Sequence, residues 1–405
     1  MNRLFILFLA ALAAFTACDS SGGDDPDPNF IPPLEPADRP EPSTKNTVLV
    51  YLAIDNNFSV KTDYTDKVEA MRASWNSSLD GNLVVYCDAG IDKPVLVEIL
   101  QSKKGYNYAD TVVKYPTSHD STSPEVFSTV LNEVKAKWPA EKYGLVYLSH
   151  ATGWLPQGTL LRPQSVGSDW DDRQSQWKNE MELAEFGESL PYNLEYVIFD
   201  ACFMGAAEVA YELKDKVKYV MGSAAEVVVP KDSYGFIYGT MMAHLMRDKP
   251  DVAAVAQEFY DYFANSTTVP NSATVSVIET AKMEAVAAAA KAILEGVDGE
   301  AEVDITDLQR FRPGNSMLYF DLGQYMSVLS GGDERYDAFD AALKAATVYK
   351  ANTPTYYSAA GGNPNAITHF SGLSVYIPQQ QYPFMNGEYA KLKWAKAAGT
   401  FIPEN

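Results

Sequence analysis

Apolar runs and amphipathic segments alternate along the chain after residue 46. Near-continuous apolar runs are typical of strands covered on both faces, and they predict strands at 47–54, 82–89, 144–149, 196–201, 218–223, 273–279 and 372–378. Residues 95–99 and 111–115 predict a hairpin or an edge pair. Amphipathic segments predict helices at 123–138, from 203, and at 250–264, 280–296, 316–328 and 335–349. The alternation predicts an α/β fold with a mostly parallel sheet flanked by helices on both faces.

Two segments depart from this alternation. Residues 18–46 are rich in proline and acidic side chains, so they are expected to stay extended as a tether. Residues 155–178 are irregular and polar, which favours a functional or mobile segment because such long connections are uncommon in compact domains. The expected organisation is a signal peptide at 1–17, the tether at 18–46, a core at 47–249 and a C-terminal α/β region at 250–405 that completes the fold.

The N-terminus has the pattern of a bacterial targeting segment. A short positive region precedes the apolar run LFILFLAALAAF, which is too short for a typical membrane span. The following FTAC resembles a lipobox, which implies cleavage before Cys18 and lipidation of its thiol; an ordinary signal peptide with an incidental cysteine is the alternative. We therefore expect a lipid anchor in the bacterial outer membrane or at the cell surface, and the sequence leaves the side of the membrane open.

Charge and cysteine usage exclude several classes of function. The formal net charge is −21, whereas binding to nucleic acid needs a basic surface, so no nucleic-acid partner is expected. Beyond Cys18, the cysteines are Cys87, expected to be buried in a strand, and Cys202. The four histidines lack zinc-site spacing, and no glycine-rich phosphate loop is present, so we expect no metal site and no cofactor required for the chemistry.

One histidine and one cysteine follow predicted parallel strands. His150 comes after the strand at 144–149, and Cys202 comes after the strand at 196–201. Ligands bind at the carboxyl ends of strands in open parallel sheets, so both side chains are expected at one edge. The helix predicted from 203 would place Cys202 at a helix N-terminus, which favours a thiolate. A Cys–His pair is a recurrent nucleophile arrangement, although a cysteine at a strand end is often only buried packing.

These segments resemble the clostripain family of cysteine peptidases, whose clan has a caspase-like fold. The resemblance rests on TVLVYLAIDNNFS, WPAEKYGLVYLSHATGW, VIFDACFMGAAEVAYEL and GSAAEVVVPKDSYGFIYG, and it extends over roughly residues 47–400. It implies a caspase-like catalytic core, Cys202 as the nucleophile and His150 as the general acid and base. It also implies an oxyanion hole formed by the backbone N–H groups of Cys202 and of Ala151. Ala151 replaces the family's usual glycine, and its methyl is a potential obstacle to a substrate.

The resemblance also implies a preference for cleavage after Arg or Lys. Asp200 matches an acidic position of the primary specificity pocket, S1, with Glu226 or Asp232 as a second acid; the alternative for Asp200 is a structural carboxylate at the helix start. Members of the family often mature by self-cleavage, for which 155–178 offers Arg162, Arg173 and Lys178. A calcium requirement is left open, with unknown ligands. Besides an active endopeptidase, the alternatives are an impaired surface binding lipoprotein and another thiol chemistry such as transpeptidation.

Overall fold

The computed structural model describes residues 31–400 with short gaps. The residues left undescribed are 1–30, 57, 59, 91–92, 158–165, 172–175, 229–234, 298–303, 315–316 and 401–405. The strands are β1 (Asn46–Ala53), β2 (Asn82–Asp88), β3 (Val95–Gln101), β4 (Asn107–Lys114), β5 (Lys142–Leu148), β6 (Ser168–Asp171), β7 (Gln176–Glu180), β8 (Leu194–Asp200), β9 (Val217–Gly222), β10 (Thr274–Glu279), β11 (Phe320–Asp321), β12 (Thr347–Asn352), β13 (Thr355–Tyr356), β14 (Asn365–Ala366) and β15 (Ser374–Val375). The α-helices are α1 (Asp66–Ser74), α2 (Pro124–Lys137), α3 (Leu183–Ser189), α4 (Ala207–Glu212), α5 (Gly235–Leu245), α6 (Val252–Ala264), α7 (Met283–Glu295), α8 (Leu322–Ser330), α9 (Glu334–Ala346), α10 (Pro383–Tyr389) and α11 (Lys393–Ala398).

One large sheet organises the described part of the chain. Its order is β12-β10-β9-β8-β5-β1-β2-β3-β4. The five central strands, β9, β8, β5, β1 and β2, pair in parallel, and antiparallel strands extend the sheet on both sides. Within this sheet, β3 and β10 run in the opposite direction to the other seven strands. The expected mostly parallel α/β fold is therefore confirmed.

The sheet separates two hydrophobic cores. Strand β1 is buried along its whole length, and its side chains alternate between the cores: Leu49 and Tyr51 face one, while Val48 and Val50 face the other. Helices α2, α3, α4 and α7 contribute to the first core, and α1, α5 and α6 contribute to the second. Burial on both faces explains why the sequence of β1 is a continuous apolar run.

Several predicted elements are confirmed. Helix α2 begins at Pro124, and Ser123 caps it by accepting a hydrogen bond from the Val126 N–H at 3.4 Å. The pair predicted at 95–99 and 111–115 is β3 and β4, which form the edge of the sheet. Cys87 is buried in β2, as expected for a small apolar side chain.

In two segments, pairing with another strand overrides the predicted local structure. The helix predicted at 335–349 ends at Ala346, and β12 follows immediately because its backbone pairs with β10. The segment predicted to be irregular at 155–178 contains β6 and the start of β7, which pair antiparallel. A partner strand decides the structure in both places, and local periodicity does not report it.

The second half of the expected tether is held against the domain. Asp38 accepts a backbone hydrogen bond from Lys103 at 2.8 Å and forms an ion pair with Lys104 at 2.6 Å. Arg39 forms ion pairs with Glu98 and Asp110 on β3 and β4. Polar contacts, rather than burial of apolar side chains, hold residues 31–45 against the domain. The expectation of an extended tether up to residue 46 is therefore corrected for residues 31–45. No helix among the described residues is long and apolar enough to cross a membrane.

The C-terminal region joins the same body. It supplies β10 and β12 to the large sheet, and its Tyr376 N–H donates to the carboxylate of Glu208 at 2.7 Å. Glu208 lies on α4 and is fully buried. Burial raises the pKa of Glu208 to about 8, although the hydrogen bond from Tyr376 opposes that effect. The carboxyl group is therefore neutral at neutral pH in the folded protein.

We predict that Glu208→Gln removes a loss of stability that the wild type undergoes as pH rises from about 5 to about 8. The unfolded carboxyl ionises near its usual value, whereas the folded one ionises near pH 8, so the stabilising neutral form is lost as pH rises through 8. The wild type should lose roughly 3–5 kcal/mol of unfolding free energy more than the variant between about pH 5 and about pH 9. Urea unfolding across that range measures the difference. Glu295→Gln, on the exposed side of α7, should follow the wild type; parallel curves for all three proteins would contradict the prediction.

Candidate active site

The paired ends of β5 and β8 define the candidate site. These neighbouring parallel strands are in register with Leu148 opposite Asp200. His150 and Cys202 each follow two residues after that pair, so the backbone carries both to the same level at the carboxyl edge of the sheet. The structure thus brings together the two residues that the sequence singled out.

The surroundings of Cys202 favour the protonated form of its thiol. Burial raises the pKa of Cys202 to about 12, even though part of the residue remains in contact with solvent. The Val227 N–H, which donates to Sγ at 3.3 Å, and the positive charge of Arg312 lower the pKa. The carboxylates of Glu226 and Asp200 raise it. A base is therefore needed to produce a thiolate near neutral pH.

The helix predicted to start at Phe203 starts at Ala207, which corrects the expected surroundings of Cys202. Phe203 has φ +62°, in the left-handed region that an α-helix excludes. Its ring stacks on Tyr319 with centroids 4.0 Å apart, and its N–H donates to Ala225 at 3.1 Å. Because residues 202–206 form a non-helical loop with a turn at 202–203, no helix N-terminus lies at Cys202 to favour the thiolate.

Tyr319 connects the loops that follow both strands, and sequence reasoning did not identify it. Besides stacking on Phe203, its hydroxyl donates to the Thr152 carbonyl at 3.0 Å. The C-terminal region also fixes the loop through Ser374, whose N–H donates to the Gly205 carbonyl at 2.9 Å. Gly205 was the one local signal of a turn, since it interrupts the helical pattern soon after the cysteine.

The turn after β5 fixes the backbone of His150. The imidazole ring of His150 stacks on Phe58 with centroids 4.6 Å apart, and the His150 carbonyl accepts a hydrogen bond from the Gly167 N–H at 2.8 Å. Ala151 faces Val166 in an antiparallel bridge that uses the carbonyl of His150, so the Ala151 N–H does not take part. Ala151 avoids the left-handed region, and its methyl is buried in the first hydrophobic core. The steric objection to alanine at this position therefore does not hold.

Two backbone donors near the thiol remain available. Within the described part of the chain, the N–H groups of Cys202 and Ala151 donate to no protein acceptor. They follow β8 and β5 at the same edge of the sheet. Such preorganised N–H groups are what an oxyanion hole requires.

The acidic candidates for S1 differ in their surroundings. Asp200 accepts a hydrogen bond from the Tyr238 hydroxyl at 2.7 Å, and both residues line a cavity next to β8. The cavity walls are mainly apolar and include Val146, Ile198, Met221, Ile237, Met241, Val255 and Phe259. Glu226 accepts hydrogen bonds from the Ser358 hydroxyl at 2.7 Å and from the Ala359 N–H at 2.6 Å. Its carboxylate thus holds a C-terminal turn, whereas Asp200 faces the cavity.

Other predicted residues fall where the structure gives less detail. Asp232, Arg162, Arg173 and Cys18 lie outside the described residues. Lys178 lies in β7, next to the gap at 172–175. The described residues contain no group of three or more His, Cys, Asp or Glu side chains that could hold a metal ion.

Known structures share this fold over most of the chain. An inactive zymogen C11 protease from Parabacteroides distasonis is 28% identical with a TM-score of 0.74, and the match covers 89% of this chain and 99% of that one. A secreted C11 cysteine protease from Bacteroides thetaiotaomicron, solved with an irreversible peptide inhibitor, is 25% identical with a TM-score of 0.73. That match covers 88% of this chain and 99% of the other.

Sequence comparison points to the same family. Clostripain from Hathewaya histolytica is 24% identical over 193 residues, which cover 42% of this chain and 36% of clostripain, so the chain matches about a third of that relative's length. The model of the clostripain family matches residues 50–397. The protein therefore belongs to the clostripain family of cysteine peptidases.

Proposed function

We propose that this protein is a cell-envelope-anchored endopeptidase that cleaves after Arg or Lys through Cys202 and His150. The observation that carries the proposal is the register of β5 and β8, which sets the two residues at one level on neighbouring strands. The cavity beside Asp200 combines apolar walls with a carboxylate, which is the chemistry that recognises a long basic side chain; its volume of about 30 Å³ means that the walls would have to move apart to admit one. The inhibitor complex of the similar Bacteroides thetaiotaomicron protease supports a peptide as the substrate.

In the proposed mechanism, His150 removes the thiol proton of Cys202. The thiolate attacks the carbonyl carbon, and the N–H groups of Cys202 and Ala151 stabilise the oxyanion, each contributing on the order of 3 kcal/mol. The C–N bond breaks as His150 transfers the proton to the departing amine, leaving a thioester on Cys202. His150 then takes a proton from water, whose oxygen attacks the thioester, and Cys202 leaves as the thiolate, which regains a proton from His150.

The carboxylate of Asp200 is the proposed P1 recognition group. Glu226 is engaged by Ser358 and Ala359, so we assign it to holding that turn beside the site. Asp232 stays a second candidate on sequence grounds. A requirement for calcium also stays a prediction without assigned ligands.

The proposed location follows from the N-terminal sequence. Lipidation of Cys18 would anchor the chain in the outer membrane, with 19–30 linking it to the segment held against β3 and β4. One lipidated residue joined to a globular peptidase makes the membrane a partner through the anchor.

Two other functions proposed from the sequence are kept as alternatives: an impaired binding lipoprotein and a thiol transferase. The buried methyl of Ala151 removes the reason for expecting an impaired protein. A thiol transferase would join an added amine nucleophile to the cleaved peptide, and the products would show it.

We predict that an acyloxymethyl ketone with Arg or Lys at P1 labels Cys202 covalently. Cys202→Ala should show no labelling, since the attacking sulfur is absent, and His150→Ala should show at least about 100-fold slower labelling because the buried thiol has no base. Mass spectrometry of the labelled peptide and cleavage of basic fluorogenic peptides provide the measurements. His369→Ala is the matched control, because this exposed histidine contacts Thr368 on a C-terminal loop. The proposal fails if the wild type is neither labelled nor active.

We predict self-cleavage at Arg162, Arg173 or Lys178. The similar Parabacteroides distasonis structure is described as an inactive zymogen, and all three residues lie between the strands that carry His150 and Cys202. The wild type should run as two fragments on a denaturing gel, whereas Cys202→Ala should stay intact. N-terminal sequencing identifies the cut, and glutamine at that position should prevent it. A single intact chain in an active wild type would refute self-cleavage without affecting the proposed activity.

We predict that Gly153→Ala lowers activity more than its effect on stability explains. Gly153 has φ +69°, and an added Cβ would lie 2.8 Å from the Phe203 carbonyl oxygen, forcing the two catalytic loops apart. Gly105→Ala is the matched control because Gly105 has φ +88° with no atom within 4 Å. Both variants should lose about 1–2 kcal/mol from the left-handed backbone, but only Gly153→Ala should lose activity by about 10- to 100-fold. Melting curves and peptide cleavage separate the effects; equal activities would contradict the prediction.

A further inference from the structure

A series of contacts between buried polar side chains leads from the second hydrophobic core to Asp200. Asp63 lies in a π-helical turn at Val60–Thr65 and forms an ion pair with Lys67 on α1 at 3.2 Å. The Lys67 Nζ lies 4.9 Å from the centroid of the Tyr238 ring. The Tyr238 hydroxyl in turn donates to Asp200 Oδ2 at 2.7 Å. The mechanism proposed above uses none of the first three residues.

The burial of these charged side chains is difficult to explain by packing alone. Lys67 is 0% exposed and Asp63 is 2% exposed. Buried ion pairs are weak stabilisers compared with apolar side chains of similar size, because both charges lose their hydration. A cation on the face of an aromatic ring is attracted to its electrons. It also withdraws electron density from the ring, which makes the phenol a stronger hydrogen-bond donor to Asp200.

We propose that Tyr238, with the Lys67–Asp63 pair behind it, is a positioning residue that makes the site selective for a charged P1 side chain. The inference rests on the proposed role of Asp200 in P1 recognition. The hydroxyl of Tyr238 holds one oxygen of Asp200 and thereby fixes the plane of the carboxylate at the cavity. Tyr238 itself lines that cavity, so its ring and Asp200 face the same space.

Selectivity depends on this orientation because the cavity walls are mostly apolar. A P1 ammonium or guanidinium group loses hydration when it enters such a cavity, and a well-oriented carboxylate compensates for that loss. A neutral side chain of the same length loses less hydration free energy than a charged one, so it depends less on the carboxylate. Loss of the Tyr238 hydroxyl should therefore weaken recognition of charged P1 groups more than recognition of neutral ones.

The experiment compares the full-length wild type with Tyr238→Phe and with Tyr349→Phe. Tyr349 lies on the edge strand β12, donates to Gln257 at 3.0 Å and does not line the cavity, so its variant controls for loss of a phenol hydroxyl. The substrates are one fluorogenic peptide with Arg, Lys or citrulline at P1, and active sites are counted by iodoacetamide alkylation of Cys202. Tyr238→Phe should lower kcat/KM for Arg and Lys by about tenfold, mainly through KM, and lower the citrulline value by no more than about twofold. Tyr349→Phe should match the wild type.

A second variant tests the ion pair and keeps the inference decidable if Tyr238→Phe does not fold. Asp63→Asn combined with Lys67→Met removes both charges together, so neither is left unpaired. It should lower the ratio of Arg to citrulline cleavage by about threefold while Cys202 alkylation stays normal.

The outcomes separate the inference from the function on which it rests. If the wild type prefers basic P1 and both variants keep its Arg to citrulline ratio, the inference is overturned and the proposed function stands. An equal loss on all substrates with a lower melting temperature would show a purely structural role and would also overturn the inference. If the wild type does not cleave after Arg or Lys, both fail.

Discussion

The backbone pairing of β5 with β8 is the constraint on which the rest of the site depends. Hydrogen bonds between two buried parallel strands leave no freedom to slide, since a shift of one residue would turn every side chain to the other core. The register therefore sets the level of His150 and Cys202 before any side chain acts. The two cores on either side of the sheet hold that register in place.

Beyond the strand ends, the C-terminal region determines the shape of the site. Phe203 adopts a left-handed backbone that costs roughly 1–2 kcal/mol. Its stacking on Tyr319 offsets part of this cost, and the Tyr319 hydroxyl reaches the carbonyl of Thr152 in the other loop. Ser374 holds the Gly205 carbonyl. The loops after β5 and β8 are thus joined through residues more than a hundred positions away, so the C-terminal region is part of the site.

The sequence predicted the sheet and the positions of His150 and Cys202, because buried strands have long apolar runs and parallel strands share a carboxyl edge. It did not predict the non-helical loop at 202–206. The helical pattern begins at Phe203, and only the contact with the distant Tyr319 selects the left-handed backbone. Likewise, the helix predicted to residue 349 extended over the first three residues of β12, because the pairing of β12 with β10 is not a local property. The attachment of residues 31–45 was missed because charges, rather than apolar side chains, hold them.

The turn also changes the electrostatics of the thiol. Without a helix N-terminus, the influences that favour a thiolate are the Val227 N–H and the charge of Arg312, while burial, Glu226 and Asp200 oppose it. The carboxylate of Asp200, which we propose recognises the P1 side chain, thus adds to the effects of burial and Glu226 that raise the pKa of Cys202. Within the proposed function, a cation bound at Asp200 would neutralise that carboxylate and remove one of the causes that raise the pKa of Cys202. Substrate recognition and activation of the nucleophile are then coupled, since both act through the charge at the end of β8.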